Sequence, residues 1–166
     1  KIGALFVNPG GPGVSGITYA RAAEVLFTRP VLEHFDIIGW DPRGVGASTS
    51  ISCMSDAETD VFYETDGTPD DASEVRDLIG LLDAFTAGCV EDAASLIPEL
   101  GTFNSARDLD ILRAAVDEPR LNYFGASYGT ELGAVYAELF PQRVGRMVLD
   151  AALDPHRWQG ALDQLA

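Results

Sequence analysis

The chain of 166 residues predicts an α/β fold, a mostly parallel sheet flanked by helices. Two observations point there. Short apolar runs alternate with helical periodicities, which is the pattern of strands joined by crossover helices. Three of the runs end in glycine-rich or charged turns, after Val7, after Trp40 and after Phe124. In a parallel sheet those turns share one edge, where such sheets bind their ligands. There is no internal repeat and no low-complexity segment.

In chain order, Ala4-Leu5-Phe6-Val7 reads as the first strand, followed by the irregular loop Asn8-Pro9-Gly10-Gly11-Pro12-Gly13. A short helix is expected from Ile17 to Phe27. Phe35 to Trp40 forms the next strand, closed by the turn Asp41-Pro42-Arg43-Gly44. Residues 45–72 are polar with few periodic apolar positions and read as a long surface excursion. Val75, Leu78, Ile79, Leu82 and Phe85 mark an amphipathic helix, with Ser73 as its cap. Ser105-Ala106-Arg107-Asp108 resembles a capping box that opens another helix, with Leu109, Leu112 and Val116 on one face. Leu121 to Phe124 is a buried strand. Leu132, Val135, Tyr136, Leu139 and Phe140 then recur with helical spacing until Pro141 stops the helix. Arg146 to Leu149 is the last strand, ending at Asp150.

Composition sets broad limits. Hydrophobic residues make up 46% of the chain, so it is neither disordered nor a membrane protein, and no apolar run approaches the length of a span. The formal net charge is −15 and Lys1 is the sole lysine, which disfavours nucleic acid and anionic lipid as partners. The chain opens almost inside a strand, as a processed or trimmed end would.

Gly125-Ala126-Ser127-Tyr128-Gly129 lies between the third strand and its helix. G-x-S-x-G in that context is a nucleophile elbow, a sharp turn that lifts the serine hydroxyl out of the sheet. The flanking glycines let the backbone take the turn and let helix and strand pack closely. The same letters occur in ordinary solvated turns; the strand before and the helix after select the elbow. Ser127 is therefore the candidate nucleophile for acyl transfer. An oxyanion forming there needs fixed N–H donors, each worth roughly 3–4 kcal/mol. The backbone N–H groups of Tyr128 and Gly11 are assigned that role.

A rival reading uses the same loop. Gly11, Gly13 and Gly16 satisfy G-x-G-x-x-G after a strand, and Asp41 ends the next strand, where a dinucleotide fold places its ribose-binding acid. Such a site would belong to a dinucleotide-binding oxidoreductase. Against it, Pro12 removes one N–H from the phosphate cradle, a Pro-Arg-Gly turn follows Asp41 at once, and the elbow is left unexplained. The two cysteines, Cys53 and Cys89, lack metal-site spacing. From spacing alone they fit two buried thiols or one disulfide.

Several separated motifs together resemble one family. They are Asn8 to Gly16, Trp40 to Ser48, Ala106 to Arg113, Asn122 to Thr130 and Phe140 to Asp150. In this order they resemble the N-terminal part of α/β-hydrolase serine peptidases, the group of proline iminopeptidases and secreted tripeptidyl aminopeptidases. The resemblance implies a serine hydrolase that cleaves short peptides from a free N-terminus through an acyl-enzyme, without cofactor or metal. It implies Ser127 as nucleophile, Gly11 and Tyr128 as the oxyanion hole, a Cys53–Cys89 disulfide and a secreted or cell-surface location. Asp41 and Arg43 become structural, a pair bracing the loops. An ester or amide hydrolase of the same fold is the nearest alternative.

The serine needs a base and the base an orienting acid, in the order Ser, acid, His. Ser127, Asp150 and His156 satisfy that order formally. The resemblance places acid and histidine much further on, beyond a cap domain, and makes His156 a surface residue, although some hydrolases of this fold take their acid after the strand that ends at Asp150. His34 precedes a strand, at the wrong end of the sheet. The expectation is a partial chain: residues 1–157 are core, 158–166 begin the cap, and the catalytic Asp and His lie in a missing C-terminal part. Alone it would be inactive, and its substrate-binding residues are not assigned.

Overall fold

A computed structural model describes residues 1–154. The chain divides into two compact units, one formed by Lys1–Thr49 with the chain from Leu100 onward, the other by Ser50–Glu99. The first holds a sheet of strands β1 (Ala4–Asn8), β2 (Asp36–Gly39), β3 (Leu121–Ala126) and β4 (Val144–Asp150). The spatial order is β2-β1-β3-β4, and every pairing is parallel.

Parallel strands need crossovers, and helices supply them. Between β1 and β2 lie α1 (Gly16–Arg21), α2 (Ala23–Leu26) and α3 (Arg29–His34). The single helix expected over Ile17–Phe27 is thus broken at Ala22, and α3 was not foreseen. Helix α6 (Thr102–Ala115) leads into β3, and α7 (Tyr128–Leu139) follows it. Phe6, Leu121 and Tyr123 of the sheet cluster with Leu109 of α6 and with Leu132 and Tyr136 of α7. The next residue of β3, Phe124, points to the other face, where its ring meets Tyr19 of α1 and Phe27 at 6.5 and 5.2 Å. Alternation along one strand therefore seats helices on both faces.

The expected capping box at Ser105 is not the start of α6. Ser105 is buried inside the helix, which opens three residues earlier behind Gly101. One turn further on, Asp110 is the hub of an ionic cluster. It accepts from Arg113 Nε at 2.9 Å, from the Tyr136 hydroxyl at 3.0 Å and from Arg143. Burial pushes its carboxyl up, but these bonds and the two guanidinium charges pull it further down, below the ordinary value.

Asp41 and Arg43 do brace loops, through different partners. Asp41, buried, accepts from Ser15 Oγ at 2.6 Å, Ile17 N at 3.2 Å and Ala47 N at 2.9 Å. Burial raises its carboxyl, and the hydrogen bonds more than offset that, so it titrates below its usual range. Arg43 forms a two-pronged pair with Asp108 of α6, at 2.8 and 2.6 Å.

The second unit contains α4 (Asp56–Glu64) and the long α5 (Ala72–Ala93). The excursion expected over residues 45–72 thus includes a helix. Ser55 and Glu58 cap α4 reciprocally, and Asp71 with Glu74, not Ser73, caps α5. Cys53 and Cys89 form a disulfide. Beside it, a Cβ on Gly88 would come within 2.0 Å of the Cys53 carbonyl oxygen, so only glycine fits there. This unit carries one basic residue, Arg76, against thirteen acidic ones, so most of the chain's −15 charge is concentrated in it. No helix of the described residues is long and apolar enough to cross a membrane.

Candidate active site

The candidate site forms where β3 ends and α7 begins. Ser127 occupies that junction with φ 52° and ψ −122°, a conformation non-glycine residues rarely adopt. Its neighbours show why the turn needs glycines. A Cβ on Gly125 would lie 2.3 Å from the Gly129 carbonyl oxygen, and one on Gly129 would lie 2.6 Å from the Asn8 carbonyl oxygen. The helix can therefore start directly on top of the strand, and the Ser127 side chain is left exposed.

Each residue of the turn is tethered. Ser127 N–H donates to the Asp150 carbonyl at 3.0 Å. Its own carbonyl accepts from Thr130 N at 2.9 Å and Thr130 Oγ1 at 2.6 Å. Thr130 Oγ1 in turn accepts from Leu153 N at 2.9 Å. The Tyr123 hydroxyl, fully buried, donates to the Gly129 carbonyl at 2.8 Å. Burial, and secondarily Tyr128, push that phenol far above its ordinary value, so it stays a donor. Asn8, Tyr123 and Thr130 were not singled out from the sequence. Their partners are set by tertiary contact; strand alternation bears only on Asn8 and Tyr123, while Thr130 lies in the first turn of α7.

The glycine loop comes to the same place. Asn8 Oδ1 accepts from Gly10 N at 2.9 Å and curls the chain as it leaves β1. A Cβ on Gly10 (φ 96°) would meet the Ala126 carbonyl oxygen at 2.5 Å, Tyr128 N at 2.9 Å and Ser127 Cβ at 3.0 Å. Gly10 is thus pressed against the elbow, and Gly11 (φ 109°), exposed, follows it in the chain. Tyr128 N–H opens α7 and is one of the first-turn donors that a helix leaves without an internal acceptor. The structure thereby brings Ser127, Tyr128 and Gly10 together.

Asp150 ends β4 in register with Ala126, beside the elbow. The nearby Tyr19 phenol is raised by burial and then by the Asp150 charge. His34, exposed at the end of α3, sits just ahead of β2, at the opposite end of the sheet, with its Nδ1 2.7 Å from the Pro30 carbonyl. His156 and the segment 158–166 lie outside the described residues. Concavities of about 1160 and 530 Å³ lie in the acidic unit and beside Trp40, and Ser127 lines neither.

The residues behind the dinucleotide reading have other work. Asp41 is occupied by Ser15, Ile17 and Ala47, and Gly16 is a contact glycine whose Cβ would strike the Trp40 carbonyl oxygen at 2.1 Å. Carboxylates of Asp70, Asp71 and Glu74 gather within 4.8 Å, exposed or half-buried, and they serve the N-terminal cap of α5.

A strained serine between a parallel strand and a helix is the elbow of one large fold family. The sequence description of the α/β hydrolase fold matches residues 3–166. The chain belongs to the α/β hydrolase fold family. Among curated relatives, the tripeptidyl aminopeptidase of Streptomyces coelicolor is 43% identical over 168 residues, covering 98% of this chain and 31% of that protein. The serine protease Hip1 of Mycobacterium tuberculosis is 42% identical over 165 residues, covering 94% of this chain and 30% of its own length. Carboxylesterase B of the same organism is 42% identical over 161 residues, with coverages of 93% and 30%. This α/β hydrolase chain thus spans about three-tenths of the length of these relatives.

Proposed function

We propose that this chain supplies the nucleophile and oxyanion hole of a serine hydrolase that cleaves short peptides from a free N-terminus. The observation that carries the reading is Ser127 itself, exposed at φ 52° on the β3–α7 turn with Gly10 packed against it. Ser127 Oγ attacks the scissile carbonyl carbon, and its proton passes to a histidine base. The carbonyl oxygen becomes an oxyanion between the N–H groups of Tyr128 and Gly11. Collapse breaks the C–N bond, the histidine protonates the leaving amine, and water then hydrolyses the acyl-enzyme. His34 is remote, and the likeness to much longer peptidases, rather than any observation on His156, assigns the base and the acid to a C-terminal remainder of a longer protein. Asp150, whose backbone carbonyl accepts the Ser127 N–H, is the alternative acid within this chain. Residues 1–157 are assigned to the hydrolase core and 158–166 to the start of a cap. The likeness to longer peptidases assigns most of the substrate site's walls to the same remainder.

Peptide release is favoured by the likeness to the tripeptidyl aminopeptidase and the serine protease; the carboxylesterase among the relatives is the observation that favours an ester substrate. The disulfide supports an exported enzyme, because such bonds persist in oxidising compartments. The test uses the complete protein with three substrates: a tripeptide amide with a free N-terminus, its N-acetylated form, and a small acyl ester. Cleavage of the first, loss on acetylation and loss in Ser127→Ala support the proposal. Ester cleavage without peptide release assigns the esterase instead.

A further inference from the structure

We propose that Thr102 is a positioning residue for the oxyanion hole, holding Tyr128 in place through its phenol. The inference rests on the function proposed above. Within the elbow, Ser127 is tied through Asp150 and Thr130, and Gly129 through Tyr123. Tyr128, whose N–H is the proposed donor, is tied through its side chain. Its hydroxyl lies 2.9 Å from Thr102 Oγ1, and Thr102 Oγ1 lies 3.4 Å from Glu131 Oε1.

The proton directions follow from chemistry. A threonine hydroxyl has one hydrogen, and a carboxylate can only accept. A Thr102 hydrogen directed at Glu131 leaves Thr102 Oγ1 to accept from the Tyr128 hydroxyl. Burial first, and the Glu131 charge with it, raise the Tyr128 phenol above its ordinary value, so its hydroxyl keeps the proton a donor needs. Thr102 and Tyr128 are the first residues of α6 and α7, so the bond ties two helix starts together. Gly101, at the N-cap of α6, has no side chain to do this. Thr102 acts on the reaction only through Tyr128.

An oxyanion donor acts at 2.7–3.1 Å from the developing charge, so a small tilt of Tyr128 weakens it without removing it. In the complete protein, Thr102→Val is expected to lower kcat about 5–10-fold with KM unchanged, a fraction of the loss on deleting a whole donor. Phosphonylation of Ser127 by a fluorophosphonate should slow in parallel. Thr102→Ser should restore both. Tyr128→Phe, which keeps the ring, should give the same loss, and the double variant should be no worse than either single one. The Tyr128→Phe arm stands by itself if Thr102→Val does not fold. Unchanged kcat in a folded Thr102→Val or Tyr128→Phe, a loss confined to KM, or fully additive losses overturns the inference. Ser127→Ala separates the two levels. If it abolishes activity while the Thr102 and Tyr128 variants are silent, the inference alone fails; if it leaves activity intact, the proposed function falls and the inference with it.

Discussion

Replacing Ser127 by glycine removes the nucleophile and also releases a strained backbone, and the two effects separate by comparison with alanine. At φ 52° and ψ −122°, Ser127 lies well away from the left-handed helical well, where ψ is near +47°. A non-glycine residue held in such a region costs of order 1–3 kcal/mol. Glycine relieves that strain but loses about 0.5–1 kcal/mol more chain entropy on folding. Ser127→Gly should therefore stabilise the protein by about 1 kcal/mol. Ser127→Ala keeps the Cβ and the strain and loses only an exposed hydroxyl, a change expected within about 0.5 kcal/mol of zero. Both variants should be inactive. Urea unfolding of the complete protein, with equal slopes for the two variants, reads the difference directly. A glycine variant no more stable than the alanine variant would refute the strained elbow.

Other perturbations follow from the same contacts. Gly125→Ala should cost about 1–3 kcal/mol and most of the activity, because its Cβ meets the Gly129 carbonyl at 2.3 Å; an active, undisturbed variant would contradict the packing. Asp110→Asn should cost about 3 kcal/mol at neutral pH, since it breaks a buried cluster. The folded Asp110 carboxyl titrates below its ordinary value of 3.8, so its contribution is full above that value and is lost as pH falls through the folded pKa. Unfolding at pH 7, 5 and 3 should accordingly show the gap between wild type and variant closing at the acid end. Replacing Cys53 and Cys89 by serine removes a cross-link spanning 36 residues, worth roughly 4 kcal/mol in the chain-entropy estimate. Limited proteolysis should then cut first within residues 50–99; cutting that begins elsewhere would contradict this.

The strands and the elbow were legible because their signals are local. β1, β2 and β3 are apolar runs ended by turn residues, and the glycines flanking Ser127 announce a backbone that cannot carry Cβ atoms. Helix α4 was hidden because Val61, Phe62 and Tyr63 are adjacent in sequence and make no helical stripe; the usable signal was the capping pair Ser55 and Glu58. The start of α6 was misplaced for the opposite reason. Ser105-Ala106-Arg107-Asp108 has the letters of a cap, while the true start behind Gly101 has no capping side chain. Helix α3 is only six residues long, too short for periodicity to show. Within the site, Ser127 could be named from sequence, but Asn8, Thr102, Tyr123 and Thr130 could not. Thr102 meets Tyr128 across 26 residues of chain, through the packing of α6 beside α7. No spacing rule encodes such a meeting.

In the proposed reaction Ser127 is the residue acylated during turnover. This is most directly tested by trapping the complete protein with a fluorophosphonate and mapping the adduct by mass spectrometry. Trypsin releases the segment from Leu121 to Arg143, in which Ser127 is the single serine. One adduct per chain is expected, carried on that peptide, forming in step with loss of activity and absent from Ser127→Ala. An adduct on any other peptide with activity lost, or a Ser127→Ala protein that still turns over substrate, would contradict it.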